Sequence, residues 1–260
     1  MARIALGVEY DGRSFSGWQI QKTSRTVQSC LTKAISFVAN ESVQLTAAGR
    51  TDAGVHALQQ VVHFDTDAQR NERSWLLGIN SSLPTDINVI WSKPVENAFH
   101  ARFSAQRRQY RYLILNRPAR SAIHANRAWW YFKSLDLVAM QQAAQLLIGH
   151  HDFSAFRAKE CQAKSAMKTI ESLTIKRHDD WLAIDVTAPS FLHHMVRNIV
   201  GVLVEIGEAR QPVQWAQFVL DSQKRALGGV TAPPQGLYFI QADYPQQYAL
   251  PTLSTFPVIW

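Results

Sequence analysis

Arg3-Ile4-Ala5-Leu6-Gly7-Val8-Glu9-Tyr10, closed by Asp11-Gly12, decides how the chain is read. Ile4, Leu6, Val8 and Tyr10 alternate, which predicts a strand with one buried face. Downstream, Val27, Leu31, Ile35 and Val38 recur at helical spacing behind Thr26 as N-cap, so a helix is expected over Val27–Ala39. Strands are expected at Val43–Ala48 and Gln59–Asp65, a second helix at Asn71–Ser81, and a strand at Ile87–Trp91. The order is β-α-β-β-α-β. The remainder repeats it, starting with strand Arg107–Leu115 and a short extra strand at Trp129–Phe132. A helix Leu135–Ile148, a hairpin Thr169–Lys176 with Trp181–Thr187, an apolar helix Phe191–Gly207 and a short helix Val213–Leu220 follow. Leu237–Ala242 is the last strand. The expected fold is α/β (α+β), with two ferredoxin-like or RRM-like halves sharing a central, mainly antiparallel sheet and a cleft between them. The halves are placed at residues 1–105 and 106–245, with a tail at 246–260.

The chain has 260 residues, 47% of them apolar and 18% charged, an ordinary globular balance. Two cysteines, Cys30 and Cys161, exclude a disulfide framework and fit a cytoplasmic protein. No apolar run is long enough for a membrane helix or a signal peptide. The net charge of +7 has one source. Asn97–Leu135 contains no acidic residue and eight basic ones, while the rest of the chain carries 19 basic against 20 acidic residues. Arginine outnumbers lysine 18 to 9, which suits bidentate recognition of phosphate. Such a patch points to a polyanion, most often nucleic acid, or else to a solvated basic face.

Cofactor motifs are missing. There is no phosphate-binding G-x-x-x-x-G-K-[ST], no G-x-G-x-x-G behind a strand and no zinc-deaminase pattern. His150-His151 and His193-His194 are adjacent pairs, and neighbours on a helix face apart, so no metal site is expected. The stretch that invites chemistry is Ala48-Gly49-Arg50-Thr51-Asp52-Ala53-Gly54-Val55-His56-Ala57, between two strands of the first half. Arg50 favours the ionised form of Asp52. Physics alone allows either a surface turn with an ion pair or an activated carboxylate.

These residues resemble the motif around the catalytic aspartate of the tRNA pseudouridine synthase A family. Further motifs accompany it in order. They are Glu9–Gly12 with Gly17–Gln21, Thr26–Gln28, Phe99–Ala105, Arg108–Tyr112, Asp152–Arg157, Phe191–Gly201 and Gly236–Tyr238. The likeness runs from Arg3 to about Tyr248 and departs in Lys22–Arg25 and beyond Pro251. It implies a tRNA-uridine isomerase acting at positions 38, 39 and 40 of the anticodon stem-loop, without cofactor, as a homodimer. It further implies that Asp52 is the nucleophile, attacking C1′ or removing a sugar proton. Tyr110 would stack on the uracil, with a possible part in proton transfer, and Arg197 would pair with Asp52. Arg50, His56, Arg102, Arg107, Arg108 and Arg111 are expected to touch RNA. Two rivals remain at this stage: a non-catalytic RNA-binding module, which gains nothing from Asp52, and a metal-dependent nuclease, which lacks a second acid near that loop.

Overall fold

The computed structural model describes residues 1–253. Eleven strands and five α-helices alternate along them: β1 (Ala2–Tyr10), α1 (Val27–Ala39), β2 (Thr46–Ala47), β3 (His56–Thr66), α2 (Glu72–Ser82), β4 (Ile87–Val95), β5 (Arg107–Asn116), β6 (Trp129–Tyr131), α3 (Leu137–Gln145), β7 (Gly149–Asp152), β8 (Met167–Ile170), β9 (Ser172–His178), β10 (Trp181–Ala188), α4 (Met195–Gly207), α5 (Trp215–Ser222) and β11 (Leu237–Asp243). They gather into two units, Met1–Arg108 with the chain from Tyr238 on, and Gln109–Leu237. The sequence reading kept β11 with the second half. In the structure it returns to the first unit, where Tyr238 and Phe239 pair in parallel with His56 and Ala57 of β3.

In the first unit β1 is the central strand. It pairs antiparallel with β3 on one side and with β4 on the other, and β2 pairs antiparallel with β3. Ile4, Leu6, Val8 and Tyr10 are buried, as their alternation requires, but so is Ala5 on the opposite face. A strand covered on both sides reads as a continuous apolar run. The helix α1 begins in a capping box, in which Thr26 Oγ1 accepts from Ser29 N–H and Ser29 Oγ accepts from Thr26 N–H. It ends at Asn40, which adopts the left-handed conformation at φ 55°. Its inner face is Val27, Leu31, Ala34 and Ile35. Burying a Leu or Ile contributes about 1.5–3 kcal/mol, so Leu31→Asp would detach the helix. The described part of the expected tail is strapped to this unit. Lys93 Nζ donates to Ala249 O at 2.6 Å and Gln59 Nε2 to Pro251 O at 2.8 Å. The rest of the tail, 254–260, lies outside the described residues.

The second unit has the strand order β5-β10-β9, with β6 parallel to β5 and β9 antiparallel to β10. A separate antiparallel pair, β7 with β8, stands where the sequence suggested the end of a helix and the start of a hairpin. The mixed α/β class with mainly antiparallel pairing is the one the sequence implies. No helix among the described residues is long and apolar enough to cross a membrane.

Candidate active site

Ala48–Val55 links β2 to β3 in the first unit, and its backbone is held from several sides. The Arg108 guanidinium donates through Nε and Nη2 to Ala48 O at 3.2 and 3.0 Å. Gln60 grips the next residue with both ends of its amide: Oε1 accepts from Gly49 N–H at 3.3 Å and Nε2 donates to Gly49 O at 2.8 Å. Tyr10 and Thr51 share a buried hydroxyl–hydroxyl bond of 2.7 Å, and Trp18 N–H donates to Thr51 O at 3.0 Å. Val55 N–H closes a turn onto Asp52 O at 3.2 Å, with Gly54 at φ 79°. From outside, Gly12 lies so close that a Cβ there would sit 2.0 Å from Val55 O. Burial pushes the Tyr10 phenol up to about 12, despite its hydrogen bonds to Thr51 and Gln60. It therefore stays a neutral hydroxyl. The half-buried Asp52 is thus carried on a backbone fixed before and after it.

Of the expected RNA contacts in this unit, Arg50, Arg102 and Arg107 are exposed. Arg102 also lies over the Phe103 ring at 5.5 Å. Arg108 and His56 are placed otherwise. Arg108 is turned inward, and beyond Ala48 it also donates to Ala105 O at 3.3 Å and Arg102 O at 2.6 Å. His56 is 4% exposed. Its ring stacks on Tyr238 at 4.6 Å, and its Nδ1 lies 3.2 Å from Gly12 N and 3.3 Å from Asp11 Oδ1. Both serve as supports for the loop: Arg108 donates to backbone carbonyls, and His56 Nδ1 is engaged by the Gly12 amide and lies beside the Asp11 carboxylate.

In the second unit β5 carries Tyr110 and Tyr112. Tyr110 is half-buried, its ring edge-on to Phe191 with centroids 5.0 Å apart. Tyr112 is buried and donates to Pro233 O at 2.7 Å. Burial drives its pKa well up, against the pull of the nearby Arg197 cation. Arg111, between them, is only 7% exposed. It grips Asp185 of β10 with Nε–Oδ1 at 2.7 Å and Nη2–Oδ2 at 3.0 Å. Arg111 is expected to meet RNA; in the structure the fork that would take a phosphate holds an internal carboxylate.

Arg197 stands in the first turn of α4. Its Nε donates to Ala232 O at 2.7 Å, and Ala232 N–H donates back to Arg197 O at 3.1 Å. The helix begins at Met195, four residues later than Phe191, because His194 adopts φ 61°. His193 and His194 therefore precede the helix, and their ring centroids are 4.0 Å apart. Helix geometry, used above to separate them, does not apply. Sequence reasoning gave no role to Gln60, nor to Asn198, Arg225 and Thr231 behind Arg197. Only Asn198 left a trace, as a second polar residue beside Arg197 in an apolar run.

The comparisons with known proteins bear on this geometry. The family described as tRNA pseudouridine synthase matches residues 7–104 and 143–245. The unmatched interval contains Tyr110 and most of the acid-free segment. A tRNA pseudouridine synthase A of Nitrosococcus oceani is 55% identical over 258 residues, covering 99% of this chain and 100% of that one. The proteins of the same name from Alcanivorax borkumensis and Hydrogenovibrio crunogenus are 51% and 48% identical, covering 96% and 100% of this chain and 94% and 99% of their own lengths. The chain belongs to the tRNA pseudouridine synthase family.

Proposed function

We propose that the chain isomerises uridine to pseudouridine at positions 38, 39 and 40 in the anticodon stem-loop of tRNA. The N1–C1′ bond breaks, a C5–C1′ bond forms, C5 loses its proton and N1 gains one. Atoms and oxidation state are unchanged, so the reaction asks for no cofactor. Asp52 acts on the sugar as the nucleophile. Tyr110 stacks on the uracil, an interaction worth about 1–3 kcal/mol. Arg197 is the cation that serves the aspartate. Extruding the uridine costs a few kcal/mol, offset by the pocket that receives it. The exposed Arg50, Arg102 and Arg107 take phosphates, so binding weakens steeply with salt. Action as a cytoplasmic homodimer is part of the same proposal and is supported by the resemblance.

The observation that carries the reading is the grip on the loop: Arg108, Gln60 and Trp18 fasten the backbone around Asp52, and Tyr10 fastens the Thr51 hydroxyl. A binding module has no use for a carboxylate held so firmly, whereas a nucleophile gains from a fixed approach. The test is tritium release from tRNA labelled at uracil C5, without added metal or nucleotide. The wild type releases tritium and Asp52→Ala does not, while tRNA affinity is largely kept. Release by Asp52→Ala sinks the assignment; tight binding without release by the wild type favours the module.

A further inference from the structure

Behind Arg197 lies a polar network that the proposed reaction does not use. Asn198 is 2% exposed, in a helix turn otherwise lined by Val196, Ile199 and Val200. Its Oδ1 accepts from Thr231 Oγ1 at 2.7 Å and from Arg225 Nη2 at 3.1 Å, and its Nδ2 donates to Phe156 O at 2.8 Å. Arg225 Nη2 also donates to Thr231 Oγ1 at 2.9 Å, and Nη1 to Gly229 O at 2.8 Å. Every oxygen Arg225 meets is neutral, and burial pulls its pKa down. A guanidinium half-withdrawn from water and bound to neutral oxygens is a poor way to gain stability. It is a good way to fix a backbone, because its planar fork ties three oxygens at set angles.

What the fork fixes is the strap Gly229–Pro233. Thr231 is bound to Asn198, the next residue, Ala232, carries both bonds to Arg197, and Pro233 O accepts from Tyr112. The strap rests directly on α4, since a Cβ at Gly201 would lie 1.8 Å from Val230 O. Ala232 O is an acceptor for the Arg197 side chain, at its Nε.

We propose that Arg225, Asn198 and Thr231 are positioning residues that aim the Arg197 guanidinium through the strap, an inference resting on the catalytic assignment of Arg197. They do not touch the uridine. They hold Ala232 O where Arg197 Nε needs it. Displacing a reacting or charge-stabilising group by about 1 Å can cost on the order of a hundredfold in rate.

Steady-state tritium release from C5-labelled tRNA tests this in the full chain. Arg225→Met keeps length and loses every donor. It lowers kcat roughly tenfold to a hundredfold and leaves KM for tRNA within about twofold. Thr231→Val, which keeps the shape and so keeps the fold, lowers kcat by about fivefold. Arg225→Lys recovers part of the Arg225→Met loss, because an ammonium reaches one oxygen but not three. Adding Arg225→Met to Arg197→Met costs nothing more, as residues acting through one another are not additive. The inference is overturned if Arg197→Met is slow while Arg225→Met and Thr231→Val turn over normally, or if KM rises as far as kcat falls. An equal further loss on top of Arg197→Met overturns it too. Normal turnover by Arg197→Met removes the catalytic assignment itself, and the inference with it.

Discussion

The Asp52 loop and the first turn of α4 solve one problem by different means. Each must hold a charged side chain at a fixed angle. Around Asp52 the fasteners come mainly from β1, β3 and β5, and apart from the Tyr10–Thr51 hydroxyl pair they attach to backbone oxygens and amides. Around Arg197 the fastener is a backbone carbonyl of a strap some thirty residues further along, and that strap is held in turn by side chains meeting side chains. Arginine is used in both places. Arg108 donates to the carbonyls of Ala48, Ala105 and Arg102, Arg225 binds neutral oxygens, and Arg111, nearby in sequence to the first, is neutralised by Asp185. A guanidinium is therefore a positive patch only when its fork is left for something outside the protein. The eight basic residues of the acid-free segment illustrate this. Arg111, Arg117 and Lys133 meet Asp185, Asp180 and Glu208, acids from far along the chain.

That contrast is broken most directly at Arg111. Arg111→Met leaves Asp185 charged, half-enclosed and without its bidentate partner. Breaking a buried pair costs about 3–5 kcal/mol. Urea unfolding is expected to show a loss of that size, while the salt dependence of tRNA binding keeps its slope. A lowered slope with unchanged stability would put Arg111 on the RNA after all.

The next effect is one of pH, on β3 towards the end away from the Asp52 loop. His63 is buried, and Nδ1 accepts from Ala101 N–H at 3.1 Å. Burial first, then the cations of Arg3 and His100, pull its pKa down to about 4 from the ordinary 6.5, against Asp65. The unfolded chain binds a proton below pH 6.5 that the folded chain refuses until about 4. Stability from this group is thus whole above pH 6.5 and falls as the pH drops towards 4. The loss is up to about 3 kcal/mol. His63→Gln should flatten that part of the stability curve relative to wild type. Parallel curves would mean that His63 titrates normally.

How much of this was open to a reader of the sequence depends on the range of the forces involved. β1 and α1 are set by alternation and capping, both local, and they stand where the pattern puts them; the β9–β10 hairpin keeps its second arm, while its first begins at Ser172 rather than Thr169. Phe191 and Leu192 continue the apolar run of α4 and read as helix, yet His194 in the left-handed region breaks it. β7 and β8 carry no alternation. They are joined by backbone pairing and by a His150–Thr169 side-chain bond of 2.9 Å. β11 pairs with β3 across most of the chain, which no local pattern can signal. At the site, Asp52 is legible because its neighbours are consecutive. Arg225, Thr231 and Asn198 become a unit only in space.

Arg108 separates the two uses of arginine within a single residue. Arg108→Met strips four donations from the carbonyls of Ala48, Ala105 and Arg102. Freed of that grip, the loop is expected to lose about tenfold in turnover, with KM for tRNA little changed. A rise in KM with kcat intact would return Arg108 to the RNA-binding set.

The smallest effect belongs to an arginine that faces outward. Arg102 is exposed, and its guanidinium leans on Phe103 rather than on an acid. If it neutralises one phosphate, Arg102→Ala lowers the slope of log affinity against log salt by about 1 and weakens binding only a few-fold at moderate salt. Turnover of bound tRNA stays the same, because no hydrogen bond to the loop runs from the Arg102 side chain; its carbonyl, which Arg108 holds, survives the substitution. Titrations at several salt concentrations give the slope, and single-turnover tritium release gives the rate. A changed rate with an unchanged slope would move Arg102 to the side of the fasteners, and the line drawn between inward and outward arginines in the first unit would have to be drawn elsewhere.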